Sequence, residues 1–237
     1  MAQETNGFAV SPPALPTIPV VGQSELFPVR RIYCVGQNYA DHTREMGGDS
    51  SREPPFFFSK PADAVRVSPA EVPYPPETGN LHHEVELVIA LASGGGNIDP
   101  AAALQWVFGY GVGIDLTRRD MQAAAKKAGR PWDMAKGFDA SAPISNLMPA
   151  GRVGAIRNQS ISLQVNGDLR QSGQVGAMIW SVPEIIAQLS RLVELKAGDL
   201  IFTGTPAGVG PVRPGDTLYA EIDGVGSLEV RITVPTR

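Results

Sequence analysis

Two glutamates two residues apart define the chemistry open to this chain. They lie in Leu81-His82-His83-Glu84-Val85-Glu86-Leu87-Val88-Ile89-Ala90-Leu91. Val85, Leu87, Ile89 and Leu91 recur with the period of a strand, so Glu84 and Glu86 share the opposite face, with Val88 next in line. Paired carboxylates on an apolar strand repel and are costly to bury alone. A bound cation is one resolution; an edge strand with a solvated acidic face is the other. Asp115 closes the run Val107 to Ile114 and is the third acid assigned to a buried strand position, unless it caps a turn before Thr117. Three carboxylates without cysteine or an obvious ligand histidine favour Mg2+, Mn2+ or Ca2+ over zinc or copper. Such a site suits a ligand with adjacent carboxylate and keto oxygens.

Other groups could act beside this triad. In Asn38-Tyr39-Ala40-Asp41-His42-Thr43-Arg44-Glu45-Met46, a helix puts His42 and Glu45 on one face, where the carboxylate would orient the imidazole as a base for water. An incidental surface pair is the alternative. Lys136, among Trp132, Met134 and Phe138, could neutralise a substrate carboxylate or an enolate oxygen, or merely snorkel over the core edge. Lys60 beside Phe56-Phe57-Phe58 is a weaker case of the same kind. Arg118, Arg119, Asp120 and Gln122 follow Asp115 directly. The loop Thr203 to Gly210 is rich enough in glycine to wrap an oxyanion, but lacks the Lys-Ser/Thr ending of a nucleotide loop.

The elements that must hold these groups are short. Arg31 to Gly36 reads as a strand, and Asn38 or Asp41 opens a helix that stops at Gly47-Gly48. The aromatic run Phe56 to Phe58 reads as core strand. Prolines between Val67 and Gly79 argue against regular structure there. Asp99-Pro100 starts a helix reaching about Trp106. Thr117 is expected to cap a helix through roughly Ala128. Asn166-Gly167 signals a hairpin after Ile161 to Val165. Ser181 and Glu184 form a capping box, stapled by Trp180 and Ile185, for a helix ending near Lys196. Leu200 to Phe202 is a strand, and Thr217 to Ile222 pairs with Leu228 to Val234 around Asp223-Gly224. Many short strands predict a sandwich or roll rather than alternating βαβ units.

Composition narrows the class. The 237 residues are 43% hydrophobic with a formal charge of −4, enough for a core and without the basic footprint of a nucleic-acid binder. Cys34 is the only cysteine, which fits a reducing, cytoplasmic setting. No secretory signal is read at the N-terminus, and no run approaches the roughly 18 apolar residues of a membrane span. Residues 1–28 read as an extended lead-in to a single domain at 29–237.

Six stretches in order give the chain a resemblance to the fumarylacetoacetate hydrolase family, near its fumarylpyruvate hydrolase branch. They are Tyr33 to His42, Phe56 to Asp63, His82 to Leu87, Gly113 to Asp120, Ala135 to Asp139 and Phe202 to Gly210. The resemblance implies that the domain at 29–237 is catalytic, and it implies a mixed β-sandwich roll of α+β class, a Mg2+ or Mn2+ centre and a homodimer. It implies Glu84, Glu86 and Asp115 as metal ligands, His42 and Glu45 as a water-activating dyad, and Lys136 as the charge-stabilising lysine. Arg119, Gln122, Tyr39, Thr205 and Gly204 would contact substrate, a small 2-oxo or 2,4-dioxo acid. Gln37 departs from the Arg that many relatives carry. The reaction implied is hydrolysis of an acylpyruvate, with fumarylpyruvate giving fumarate and pyruvate. Oxaloacetate decarboxylation and hydroxymuconate-type isomerisation use the same kind of site, and a carboxylate-binding module without catalysis is the non-enzyme alternative. His42→Ala is expected to leave cation binding intact and remove most turnover; hydrolysis at the parental rate would rule out the dyad.

Overall fold

The strand Val85–Leu91 is buried along its whole length, on both faces. The computed structural model describes residues 7–41 and 53–235. Val85, Leu87, Ile89 and Leu91 point into one core cluster, whereas Val88 and Ala90 point into a second. This is the alternation expected of a strand, but with apolar layers on both sides.

The described residues form four sheets. The largest has eight strands. Its central path runs Arg31–Gly36, Asp199–Phe202, Val85–Leu91, Val107–Ile114, with Phe56–Lys60 at one edge. Within it Asp199–Phe202 is parallel to Arg31–Gly36 and antiparallel to Val85–Leu91, so the sheet is mixed. A five-stranded sheet runs Asp168–Gln174, Ser160–Val165, Thr217–Ile222, Gly226–Thr233, Ala70–Pro73. Leu163, Leu218, Val230 and Ile232 from this sheet share the first cluster with Leu87 and Ile89, which makes the two sheets the halves of a β-sandwich roll. Ile185, Ile186 and Leu189 of the helix Val182–Ser190 join the same cluster. A three-stranded ribbon, Thr117–Arg118, Leu81–His83, Gly210–Val212, brings the residues before Glu84 beside those after Asp115. Among the described residues no helix is long and apolar enough to cross a membrane.

The second cluster includes Ile18 and Phe27, from the hairpin of Thr17–Pro19 and Leu26–Pro28. The hairpin at Asn166-Gly167 has both residues at positive φ, +54° and +86°, as its turn type requires. Glu184 accepts hydrogen bonds from the N–H and hydroxyl of Ser181, as the capping sequence predicts.

Four expectations are corrected. Phe56–Lys60 is a strand but lies at the sheet edge. Phe56 is exposed there and packs edge-on against Trp132, with ring centroids 5.3 Å apart. Ala70–Pro73 is a strand although it ends on Pro73, tolerated because it is an outer strand of its sheet. Thr117 caps no helix: it lies in a ribbon strand, and the helix begins at Arg119. The helix from Val182 ends at Ser190, not near Lys196, and Ser190 turns its hydroxyl back onto the Ala187 carbonyl.

Leu87→Ala removes a fully buried side chain between the two sheets. It should cost about 2–5 kcal/mol, seen as a lowered urea midpoint with an unchanged denaturant slope.

Candidate metal centre

Glu84, Glu86 and Asp115 converge, each offering a carboxylate oxygen within 4.8 Å of the others, and all three are buried. The backbone explains the meeting. Glu86 and Gly113 are partners in the antiparallel pair of Val85–Leu91 and Val107–Ile114, and the Asp115 N–H donates to the Glu84 carbonyl at 2.8 Å. Strand Val85–Leu91 is central, so the edge-strand alternative for the glutamates does not hold. Nor does Asp115 serve as a turn cap, since its carboxylate faces lysines.

Those lysines are the electrostatic counterpart. Lys136 Nζ lies 2.8 Å from Glu84 Oε2, 2.7 Å from Asp115 Oδ2 and 2.7 Å from Thr117 Oγ1. At 2% exposure it does not snorkel. Burial works against its charge, yet Asp115 and then Glu84 outweigh that and hold its pKa above the ordinary value. Lys60 is equally enclosed: its ammonium donates to the carbonyls of Leu116 and Lys136 and lies 2.8 Å from Asp115 Oδ1. Arg119 pairs with Glu84 and donates to Gln122 Oε1, and its Nε donates to His82 Nδ1 at 3.3 Å. Burial, then the Arg119 charge, lowers the His82 pKa to about 4, so His82 accepts from Arg119 as a neutral ring.

Glu86 differs. No salt bridge reaches it among the described residues; the Gly204 N–H donates to its Oε2 at 2.7 Å. Burial first, then the Asp115 and Glu84 charges, pushes its carboxyl well above the usual range. Asp115 Oδ1, despite the nearby Lys60, accepts no aligned hydrogen bond among the described residues. A poorly compensated carboxylate, an oxygen with a free lone pair and a wholly oxygen donor set fit a hard divalent cation.

The loop at Gly204 is held from behind by Asn38. Its amide donates to the carbonyls of Thr203, at 2.8 Å, and Trp180, at 3.0 Å, and accepts from the Trp180 N–H. Gly204 has φ +96°, and a Cβ there would stand 2.7 Å from that of Asn38. Glycine is therefore the residue that lets its N–H reach Glu86.

The triad, Lys136, Arg119, Gln122, Gly204 and Thr205 all line one cavity of about 530 Å3. Phe58, Trp132, Lys126 and Lys127 complete its wall, and Gln37 enters it with a left-handed backbone at φ +56°. Tyr39 is buried too, but it is not among the lining residues; burial and then the Glu86 charge raise its hydroxyl pKa. His42 and Glu45 lie outside the described residues. Sequence reasoning undervalued Lys60 and gave Asn38 and Trp132 no role at the site. Lys60 had a visible signal, a cation ending an aromatic strand; the others act through contacts distant in sequence.

A model of the fumarylacetoacetate (FAA) hydrolase C-terminal family matches residues 31–233. The chain belongs to the fumarylacetoacetate hydrolase family. Among family members, it is 43% identical over 206 residues to oxaloacetate tautomerase FAHD1, mitochondrial, of Bos taurus, covering 87% of this chain and 93% of that protein. It is 42% identical over 207 residues to oxaloacetate tautomerase YcgM of Escherichia coli, covering 87% and 94%. The fold superimposes on the crystal structure of fumarylpyruvate hydrolase from Pseudomonas aeruginosa in complex with Mn2+ and pyruvate. That comparison has a TM-score of 0.93 and 50% identity, covering 96% of this chain and 99% of the other.

The raised Glu86 pKa carries a sign. Its contribution to the stability of the cation-free protein is full below the unfolded carboxylate pKa and is lost as pH rises through the folded one. A cation must displace the same proton, so thermal stabilisation by Mn2+ over chelator should grow as pH rises. Glu86→Gln should keep or raise the cation-free melting temperature and abolish the Mn2+ increment. An increment that survives would remove Glu86 from the donor set.

Proposed function

We propose that this chain is a divalent-metal enzyme that binds a dianionic 2-oxo acid and stabilises its enolate. The observation that carries this reading is the charge balance at the cavity: Glu84, Glu86 and Asp115 against Lys60, Lys136 and Arg119. With the acids ionised, Lys60, Lys136 and Arg119 cancel them, so a divalent cation together with Lys126 and Lys127 on the wall would leave the cavity positive for a dianion. Glu84, Glu86 and Asp115 would hold that cation. When bound, it supplies Lewis-acid polarisation of a keto oxygen and positive charge beside the developing enolate.

The chain's own side chains do the rest. Lys136 adds a preorganised ammonium where enolate charge develops, in a buried setting where such a charge counts most. Arg119 and Gln122, adjacent on the first turn of their helix, bind a carboxylate. Phe58 and Trp132 restrict water at the wall.

The substrate we put first is oxaloacetate, with proton transfer between its C3 carbon and its C2 oxygen. Support comes from the two oxaloacetate tautomerases at 42% and 43% identity. Decarboxylation, in which the keto form loses CO2 and the C3–C4 electron pair is left as pyruvate enolate, and isomerisation would begin from the same bound 2-oxo acid. A second reading is hydrolysis of fumarylpyruvate, favoured by the 50% identical hydrolase with pyruvate bound. In that reading His42, held by Glu45, takes a proton from the water that attacks the distal keto carbon. The C–C bond then breaks with its electron pair leaving as pyruvate enolate, which is protonated at carbon, and fumarate is released. The dyad suits this second reaction, because tautomerisation needs no activated water.

The test is to assay both substrates spectrophotometrically after chelation and again with Mg2+ or Mn2+ restored. Metal-dependent interconversion of oxaloacetate tautomers without pyruvate and fumarate from fumarylpyruvate supports the first reading; stoichiometric cleavage supports the second. Lys136→Met should lower kcat on the active substrate by about 10²–10³-fold. Neither substrate turning over with metal would overturn the proposal.

A further inference from the structure

Gln171 is the only fully buried residue of the strand Asp168–Gln174. A β-bulge turns it inward: Leu163 pairs with Gln171 but Gln164 with Leu169, so Arg170 is left over. Leu169, two residues earlier, is consequently 62% exposed. The bulge is braced by the loop of the metal centre. Gly208, at φ +95°, comes so close that a Cβ there would stand 2.2 Å from the Arg170 carbonyl oxygen.

Every hydrogen-bonding position of the Gln171 amide is used. Its Oε1 receives the Val85 N–H at 3.1 Å, and a backbone N–H can only donate, so this atom is the oxygen. The same oxygen lies 2.9 Å from His83 Nδ1, which must therefore carry a proton. Its Nε2 donates to the Pro206 carbonyl at 2.9 Å and to Thr205 Oγ1 at 2.7 Å. Backbone partners at both ends thus forbid the flipped amide. Thr205 must accept from Gln171, and its single hydroxyl proton is left for another acceptor. Among the described residues that hydroxyl donates to none, while Thr205 is 2% exposed and lines the cavity beside Glu86.

We infer that Gln171 is a positioning residue that makes Thr205 an obligate hydrogen-bond donor toward an anionic oxygen of the substrate. This rests on the proposed binding of a 2-oxo acid in the cavity. The residue touches no substrate itself; it sets the direction of a proton that does. Gln171→Glu inverts the arrangement, since a carboxylate only accepts and draws the Thr205 proton away from the cavity.

The experiment is a double-mutant cycle read by calorimetric titration of pyruvate into the Mn2+-loaded protein, with Mn2+ affinity measured separately. Gln171→Glu and Thr205→Val should each weaken pyruvate about tenfold, the scale of one hydrogen bond to a charged group. The double variant should be no weaker than Thr205→Val alone, and Mn2+ affinity should hold throughout. Thr205→Ser, which keeps the hydroxyl, should keep the sensitivity to Gln171→Glu. If Gln171→Glu does not fold, Gln171→Met is carried through the same cycle. Additive losses, or pyruvate affinity equal to the parent in the Gln171 variants, overturn the inference. So does a parallel loss of Mn2+, which would make Gln171 a support for the strand through Val85 instead. A parent protein that fails to bind pyruvate overturns the proposed function, and this inference with it.

Discussion

Three carboxylates whose oxygens lie within 4.8 Å of one another in an interior are untenable without positive charge, and much of the structure around this cavity answers that demand. Lys136 reaches two of the acids, Lys60 one, and Arg119 one, each ammonium or guanidinium itself enclosed. Like charges at this spacing would otherwise cost many kcal/mol in a medium of low dielectric. The compensation is incomplete at Glu86, which has a backbone N–H but no salt bridge among the described residues. The protein therefore stores an affinity for a cation in the misfit of one residue.

The scaffold explains how such a site persists. Val85–Leu91 has apolar clusters on both faces and a strand on each side, so Glu86 has no conformational escape to solvent. Glu84 sits at the break between Leu81–His83 and Val85–Leu91, where the chain passes from the ribbon into the large sheet. Asn38 and Gln171 then lock the loop that carries Gly204, each by hydrogen bonds to backbone, and the Gly204 N–H reaches the Glu86 carboxylate.

Much of the site was legible because its signals were local. A period-two run with acids on one face, a strand ending on Asp115 and a lysine among aromatics all survive in the structure as buried groups lining one cavity. The Asn166-Gly167 turn and the Ser181-Glu184 cap were equally readable, since turn and cap chemistry depends on neighbours a few residues apart. The elements misread were those whose fate depends on distant partners. Phe56 reads as core by composition but lies at a sheet edge; Ala70–Pro73 reads as irregular but finds a parallel partner in Gly226–Thr233. Thr117 has the chemistry of a helix cap, yet pairing with His82 draws it into the ribbon.

The sequence by itself determined the donor chemistry: three acids, no thiolate ligand, and cations following Asp115 and the aromatic runs. Those are properties of residue type and short spacing, which no fold can change. Only the tertiary structure decided which charges meet. Lys60, Lys136 and Asp115 come together from separate elements, and Gln171 reaches Thr205 because a bulge reverses the face it occupies. A strand's period predicts a face only while the ladder is regular; one extra residue inverts it, and that residue is set by pairing across the sheet.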